Sequence, residues 1–231
     1  MRIAYHDITE QSHIRHIFVY SAAMRLWHWM NALTVVILCV TGYLIGTPLP
    51  SFAGDPSTTY VMGWIRLIHL TGGYIFASLC ILRVWNAVVG NIYARQLFVV
   101  PFWRTSWMAG LGFQLAWNLF LPCPPRRYKG LNPLAHVAMV GMFVLPTIVL
   151  LVTGFGMLAE VAGHDSWQYH LFGWMRDFAV NTIDLHTVHR CAMWVVAWFI
   201  VAHIYSAVRE DIVSRQTMVS TMLSGFRVFK D

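Results

Sequence analysis

Four histidines sit inside long apolar stretches of this 231-residue chain: His28, His69, His189 and His203. Imidazole is the commonest side-chain metal ligand, and an ionisable group at membrane depth is costly enough that it faces the interior of a helix bundle. His189 and His203 are fourteen residues apart, almost four helical turns, so both project from one face with about 21 Å between them. If successive helices alternate in direction, His28 meets His203 near one side of the membrane and His69 meets His189 near the other. Two imidazole pairs stacked about 20 Å apart in a four-helix bundle make room for two flat macrocycles, each iron held from both faces. That is a two-haem arrangement.

The fourteen-residue interval recurs. Gly42 follows His28 by fourteen and Arg83 follows His69 by fourteen. Gly42 therefore places a residue without a side chain at the depth of the outer pair, where a macrocycle edge has room to press against the helix. Arg83 places a cation at the depth of the inner pair, where propionates need a partner. His186, three residues before His189 and near the same helical face, is the rival for the outer ligand. His136 lacks a depth-matched partner and is expected to hydrogen-bond a propionate, a quinone or the interface. His6, His13, His16, His164 and His170 fall in tails or loops. Two adjacent glycines, Gly72 and Gly73, suit close helix packing. For any single histidine, a helix–helix hydrogen bond or a proton relay is the competing role.

The elements that must position these residues follow from composition. The chain is 58% hydrophobic and 11% charged, with mean hydropathy +0.56. A soluble domain carries about 25% charged residues, so this inventory excludes a soluble enzyme, a disordered chain and a nucleic-acid module, despite the formal charge of +6. Four stretches approach the roughly 20 apolar residues needed to cross a bilayer: Trp27 to Ile45, Trp64 to Val89, Leu134 to Leu158 and Val188 to Val208. A weaker stretch, Trp103 to Leu121, is sprinkled with polar groups and tryptophans and reads as a helix lying in the membrane surface. The prolines at 122, 124 and 125 end it. The expected fold is all-α, an integral membrane four-helix bundle holding two haems, a single domain over residues 1–231, with one additional cytoplasmic interfacial helix. No internal repeat stands out. The four cysteines form no metal spacing and no disulfide is expected, and the N-terminal segment does not read as a signal peptide.

Charge placement orients the bundle. Thirteen of the sixteen basic residues fall in the N-terminal segment (Arg2, Arg15, Arg25), the 90–130 loop and its flank (Arg83, Arg95, Arg104, Arg126, Arg127, Lys129) and the C-terminal segment (Arg209, Arg215, Arg227, Lys230). The opposite loops hold Asp55, Glu160, Asp165, Asp177 and Asp184. The positive-inside rule then puts both termini and the interfacial helix in the cytoplasm. A fifth span would separate the basic termini.

The strings RLWHW (25–29), TGYLIG (41–46), MGWIRLIHL (62–70), RVWNAVVGN (83–91), RQLFVVPFW (95–103), DLHTVHR (184–190), HIYSAVREDI (203–212) and STMLSGFR (220–227) resemble, in order and spacing, the b-type cytochrome subunit of membrane-bound nickel-iron uptake hydrogenases. The resemblance covers nearly the whole chain beyond its first fifteen residues. It implies an anchor in the bacterial cytoplasmic (inner) membrane that receives electrons from the iron-sulfur small subunit of a periplasmic hydrogenase, itself paired with a nickel-bearing large subunit. The electrons then pass through two non-covalent b haems to quinone. It also implies ligand roles for His28, His69, His189 and His203, with His186 still the rival to His189.

An iron with two protein imidazoles has no open position for substrate, so the expected task is electron transfer and not catalysis. The competing readings are a cytochrome b subunit of a formate or thiosulfate oxidoreductase, a haem-free proton-coupled transporter that uses the histidines as a relay, and a passive membrane tether.

Overall fold

The computed structural model describes residues 16–48, 60–123, 126, 128, 130–178, 182–214 and 217–228. His6, His13, Arg2, Arg15, Asp55, Arg127, Lys129, Arg215 and Lys230, on which part of the sequence reading rests, lie outside them.

Four long helical segments are apolar enough to cross a membrane: Ala22–Gly46, Val61–Val89, Pro133–Ala162 and Asp184–Val213. The first two are α1 (Ala22–Gly46) and α2 (Val61–Val89). Each segment runs beyond its apolar core, because backbone pairing continues until a cap or a breaker intervenes. At the start of α1 the Ser21 side chain accepts from the Met24 N–H, satisfying one of the donors a helix start leaves free.

The third span, a continuous apolar run, is not one uniform helix. It consists of α5 (Pro133–Met139), a π-helical turn at Val140–Val144 and α6 (Leu145–Ala162). Pro146 explains the break. Its ring excludes the ordinary helical bond and crowds the preceding turn, and the chain adapts by widening, with the Leu145 N–H reaching back five residues to the Val140 carbonyl.

Between the second and third spans lie α3 (Ile92–Arg95), a 3₁₀ turn (Gln96–Phe98) and α4 (Thr105–Asn118). At fourteen residues, α4 is about 21 Å long, too short for the roughly 30 Å of bilayer hydrocarbon. It is tied to the end of the fourth span, α9 (Thr182–Val213), through Glu210. That buried carboxylate accepts from Trp117 Nε1 at 2.8 Å and Gln114 Nε2 at 3.3 Å. Beside it, the Arg209 guanidinium lies over the Trp117 and Phe120 rings and donates to the Trp117 carbonyl.

The chain's two flanks meet in an element that an all-α reading omits. Strand β1 (His16–Phe18) pairs antiparallel with β2 (Phe226–Val228), in the register His16 to Val228 and Phe18 to Phe226. The short helix α10 (Met218–Ser224) precedes β2. Trp29 Nε1 donates to the Met222 carbonyl, Asn91 Nδ2 to the Val19 carbonyl, and Arg227 to the carbonyls of Tyr128 and Gly130. Burial lowers the Arg227 guanidinium from its ordinary pKa. Both flanks and the 90–130 segment therefore cap one end of the bundle, as an even number of spans requires. At the other end, α7 (Trp167–Phe172) and α8 (Met175–Phe178) occupy the long connection to α9. Phe155 of α6 stacks on Phe172 and packs at a tilt against Trp167.

The buried centre is a layer of Val35, Phe76 and Val196, with Leu38, Cys39, Cys80, Phe143, Leu150, Leu151 and Ile200 against it. Each of the three central residues lies seven positions after a histidine: His28, His69 and His189 respectively. Seven residues are about two turns, so this apolar layer stands midway between the two histidine depths. Large apolar side chains such as Leu26, Val40, Ile81 and Trp198 point outward, as expected where hydrocarbon is the surrounding solvent.

Candidate functional site

Alternating helix directions bring the four histidines together in two pairs. His28 of α1 and His203 of α9 have ring centres 6.3 Å apart, and His69 of α2 and His189 of α9 have centres 6.4 Å apart. These separations bear directly on the kind of metal that fits. With metal–imidazole bonds of about 2.0 Å, an iron held between two such rings would need ring centres roughly 6 Å apart. Both pairs meet that requirement.

The outer pair is held from behind. Thr41 of α1 donates its single hydroxyl proton to the Ile37 carbonyl at 2.7 Å, and its oxygen lies 2.8 Å from His69 Nδ1. Thr153 of α6 does the same for His189: its hydroxyl donates to the Val149 carbonyl at 2.6 Å, and its oxygen lies 2.8 Å from His189 Nδ1. A hydroxyl whose proton is committed to a carbonyl can only accept, so Nδ1 is the donor on both rings. Nε2 is then the bare lone pair, the form in which imidazole binds a metal.

A glycine follows each threonine. A Cβ on Gly42 would lie 3.1 Å from His69 Cε1, and one on Gly154 would lie 3.3 Å from His189 Cε1. The sequence reading reserves Gly42 for the edge of a macrocycle; in the structure the His69 ring lies against it, at the depth of the outer pair. Gly72 meets Leu38 at a similar distance, in keeping with close packing of α1 and α2, whereas Gly73 faces open space.

The inner pair has different surroundings. His203 stacks on Phe199 one turn before it, and His28 Nδ1 is buried without a hydrogen-bond partner. Arg83, placed by spacing at this depth, is 8% exposed. It lies over the Trp27 and Phe98 rings, and one of its guanidinium nitrogens donates to the Ala94 carbonyl while another is buried without a partner. His136 is fully enclosed, and its Nε2 meets the Leu97 carbonyl at 3.2 Å. It pins the segment after α3 to the third span and so has a structural bond that the sequence reading did not assign. His186 lies one turn before His189 and is exposed.

The sequence profile of the prokaryotic cytochrome b561 family matches residues 19–225. The chain belongs to that family. Among its relatives, proteins called "Probable Ni/Fe-hydrogenase B-type cytochrome subunit" from Rhizobium leguminosarum bv. viciae and Azotobacter vinelandii are each 47% identical to it, over 93% of this chain and 90% of theirs. An Escherichia coli K12 protein called "Probable Ni/Fe-hydrogenase 1 B-type cytochrome subunit" is 40% identical over 92% of this chain and 91% of its own. The family resemblance read from the sequence strings is thereby established, and with it the general task of electron carriage.

The cytochrome contains one signal that the sequence reading passed over. Val40-Thr41-Gly42-Tyr43 in the first span is echoed by Val152-Thr153-Gly154-Phe155 in the third. Each copy presents its threonine and glycine to a histidine of the neighbouring span.

Proposed function

We propose that this cytochrome anchors a nickel-iron hydrogenase to the bacterial cytoplasmic membrane and transfers electrons from the iron-sulfur small subunit, itself fed by the nickel-bearing large subunit, to quinone. The observation that carries the reading is the pair of 6.3 and 6.4 Å imidazole separations, one at each end of a shared apolar layer. His69 and His189 would hold the outer haem, and His28 and His203 the inner. Each b haem, when bound, supplies reversible one-electron chemistry at an iron with no open position.

The chain's own residues do the rest. Paired imidazoles fix the iron positions, the Val35–Phe76–Val196 layer keeps water from the space between them, and buried Arg83 offers an unsatisfied donor to a propionate at the inner level. Support for His189 is that its ring faces His69 and carries a threonine bond on Nδ1. The basic residues gathered with both flanks favour a cytoplasmic location for that end, and the histidines at the opposite end then face a periplasmic partner.

The direct experiment is an absorption spectrum of the purified chain with its haem-to-protein ratio. Two low-spin b haems per chain are expected; a fully loaded preparation with one haem, or a colourless one, overturns the reading and favours the transporter alternative. Co-purification with nickel distinguishes a hydrogenase partner from a formate or thiosulfate oxidoreductase, and the names of the relatives favour the first.

A further inference from the structure

The two histidine pairs are not equivalent, and the difference lies behind the rings. Both outer imidazoles donate from Nδ1 to a threonine oxygen, Thr41 for His69 and Thr153 for His189, each at 2.8 Å. Among the described residues neither inner ring has such a bond, and His28 Nδ1 is buried without an acceptor. The threonines are themselves oriented, since each hydroxyl is committed to a carbonyl one turn back. Thr41 is 7% exposed and Thr153 3%, so little water competes for these bonds.

A hydrogen bond from the far nitrogen of a metal-bound imidazole fixes its tautomer and raises its basicity. A more basic ligand stabilises the oxidised iron, and hydrogen bonding around the ligands is one of the means by which a protein sets a haem potential. Both outer imidazoles have this bond, and among the described residues neither inner imidazole does.

We propose that Thr41 and Thr153 are positioning residues that hold the outer pair of imidazoles as Nδ1–H donors and set the outer haem at a lower potential than the inner one. The assignment rests on the ligand reading above. The pair of V-T-G-aromatic segments is then one device used twice: the threonine orients and polarises the ring, and the adjacent glycine gives the ring its space. An outer site below an inner site in potential favours electron flow from the outer face toward the inner one.

The test is a redox titration of the full-length, haem-loaded cytochrome carrying Thr41→Val, Thr153→Val, both together, or the matching serine substitutions. Haem content and the low-spin absorption bands are recorded alongside. To read one site at a time, the same substitutions are also made with His203→Ala, which leaves only the outer haem. The expected result is an upward shift of the outer potential in each valine variant, larger in the double, with the inner potential unmoved and the serine variants close to wild type. Selective loss of the outer haem in the valine variants, with retention in the serine variants, supports the same assignment, because only the hydroxyl differs in hydrogen-bonding capacity. Unchanged potentials with both haems bound, or a shift confined to the inner haem, overturn the proposal. Failure of the ligand reading is separately visible: His69→Ala or His189→Ala would then retain two haems.

Discussion

His28 and His203 approach from opposite ends of the sequence and face each other with ring centres 6.3 Å apart. Chain direction achieves this: α1 starts where α9 finishes, so a histidine early in one helix shares a depth with a histidine late in the other. On the proposed ligand assignment, removing either ring would leave an iron with a single protein ligand. His203→Ala is expected to bind one haem in place of two and to stop quinone reduction, while hydrogen oxidation with an artificial dye, assayed at the partner, continues. His189→Ala should lose the other haem, and His186→Ala should keep both. Pigment analysis and dye assays on the purified complex check all three. Loss of a haem from His186→Ala with retention in His189→Ala would show that the threonine-bonded ring is the wrong one.

Space at the outer pair is as specific as the ligands. Gly42→Val and Gly154→Val introduce side chains where a Cβ alone already lies 3.1 and 3.3 Å from an imidazole carbon. Such overpacking costs about 1–3 kcal/mol, and here the ring is the group that must move. The expected outcome is a weakened or displaced outer haem spectrum with the inner haem intact. Gly73→Ala, at a position with open space, serves as the control and should leave the spectrum unchanged.

Glu210 links α4 to the end of the fourth span through Trp117 and Gln114. Glu210→Ala leaves both donors without their acceptor inside a buried site, at a cost of about 1–3 kcal/mol. Glu210→Gln, which keeps an acceptor oxygen, should cost less. Thermal unfolding in detergent measures the ranking, and faster proteolysis around residues 119–123 would report the release of α4. Equal stability of the alanine variant and wild type would show that α4 is held by its other contacts.

The β1–β2 pairing puts both flanks of the chain at one end of the bundle. Reporters fused at Met1 and at Asp231 should therefore give the same sidedness, cytoplasmic by the charge rule, and one inserted near Asp55 the opposite. Disagreement between the two terminal fusions would mean that the Trp103–Leu121 stretch crosses the membrane.

Much of this architecture is written in one dimension. Twenty-odd apolar residues in a row can satisfy their backbone in hydrocarbon only as a helix, so four apolar runs determine four spans, and the basic loops determine which ends lie together. Helical periodicity then assigns depth: a fourteen-residue interval repeats a face, which is why His28, His69, His189 and His203 stand out before any fold is known. The same reasoning locates Arg83, since a cation at that depth must find a partner or a ring system to lie on.

Tertiary structure decided what depends on the rotation of one helix against another. Period and depth leave open which ring nitrogen points inward; that follows from Thr41 and Thr153, whose hydroxyls reach rings on other helices. His186 and His189 share a depth to within one turn, and only the packing of α9 against α6 and α1 turns His189 toward His69. Gly42 stands out by spacing, but only the packing shows the His69 ring against it, because a missing side chain does not say what lies beside it. The widened turn before Pro146 and the strand pairing of residues 16–18 with 226–228 also escaped the sequence. The physical reason is common to all of these: apolar burial in a membrane depends on composition and period, both properties of a single segment, whereas hydrogen-bond partners and close contacts belong to pairs of segments and exist only once those segments have packed.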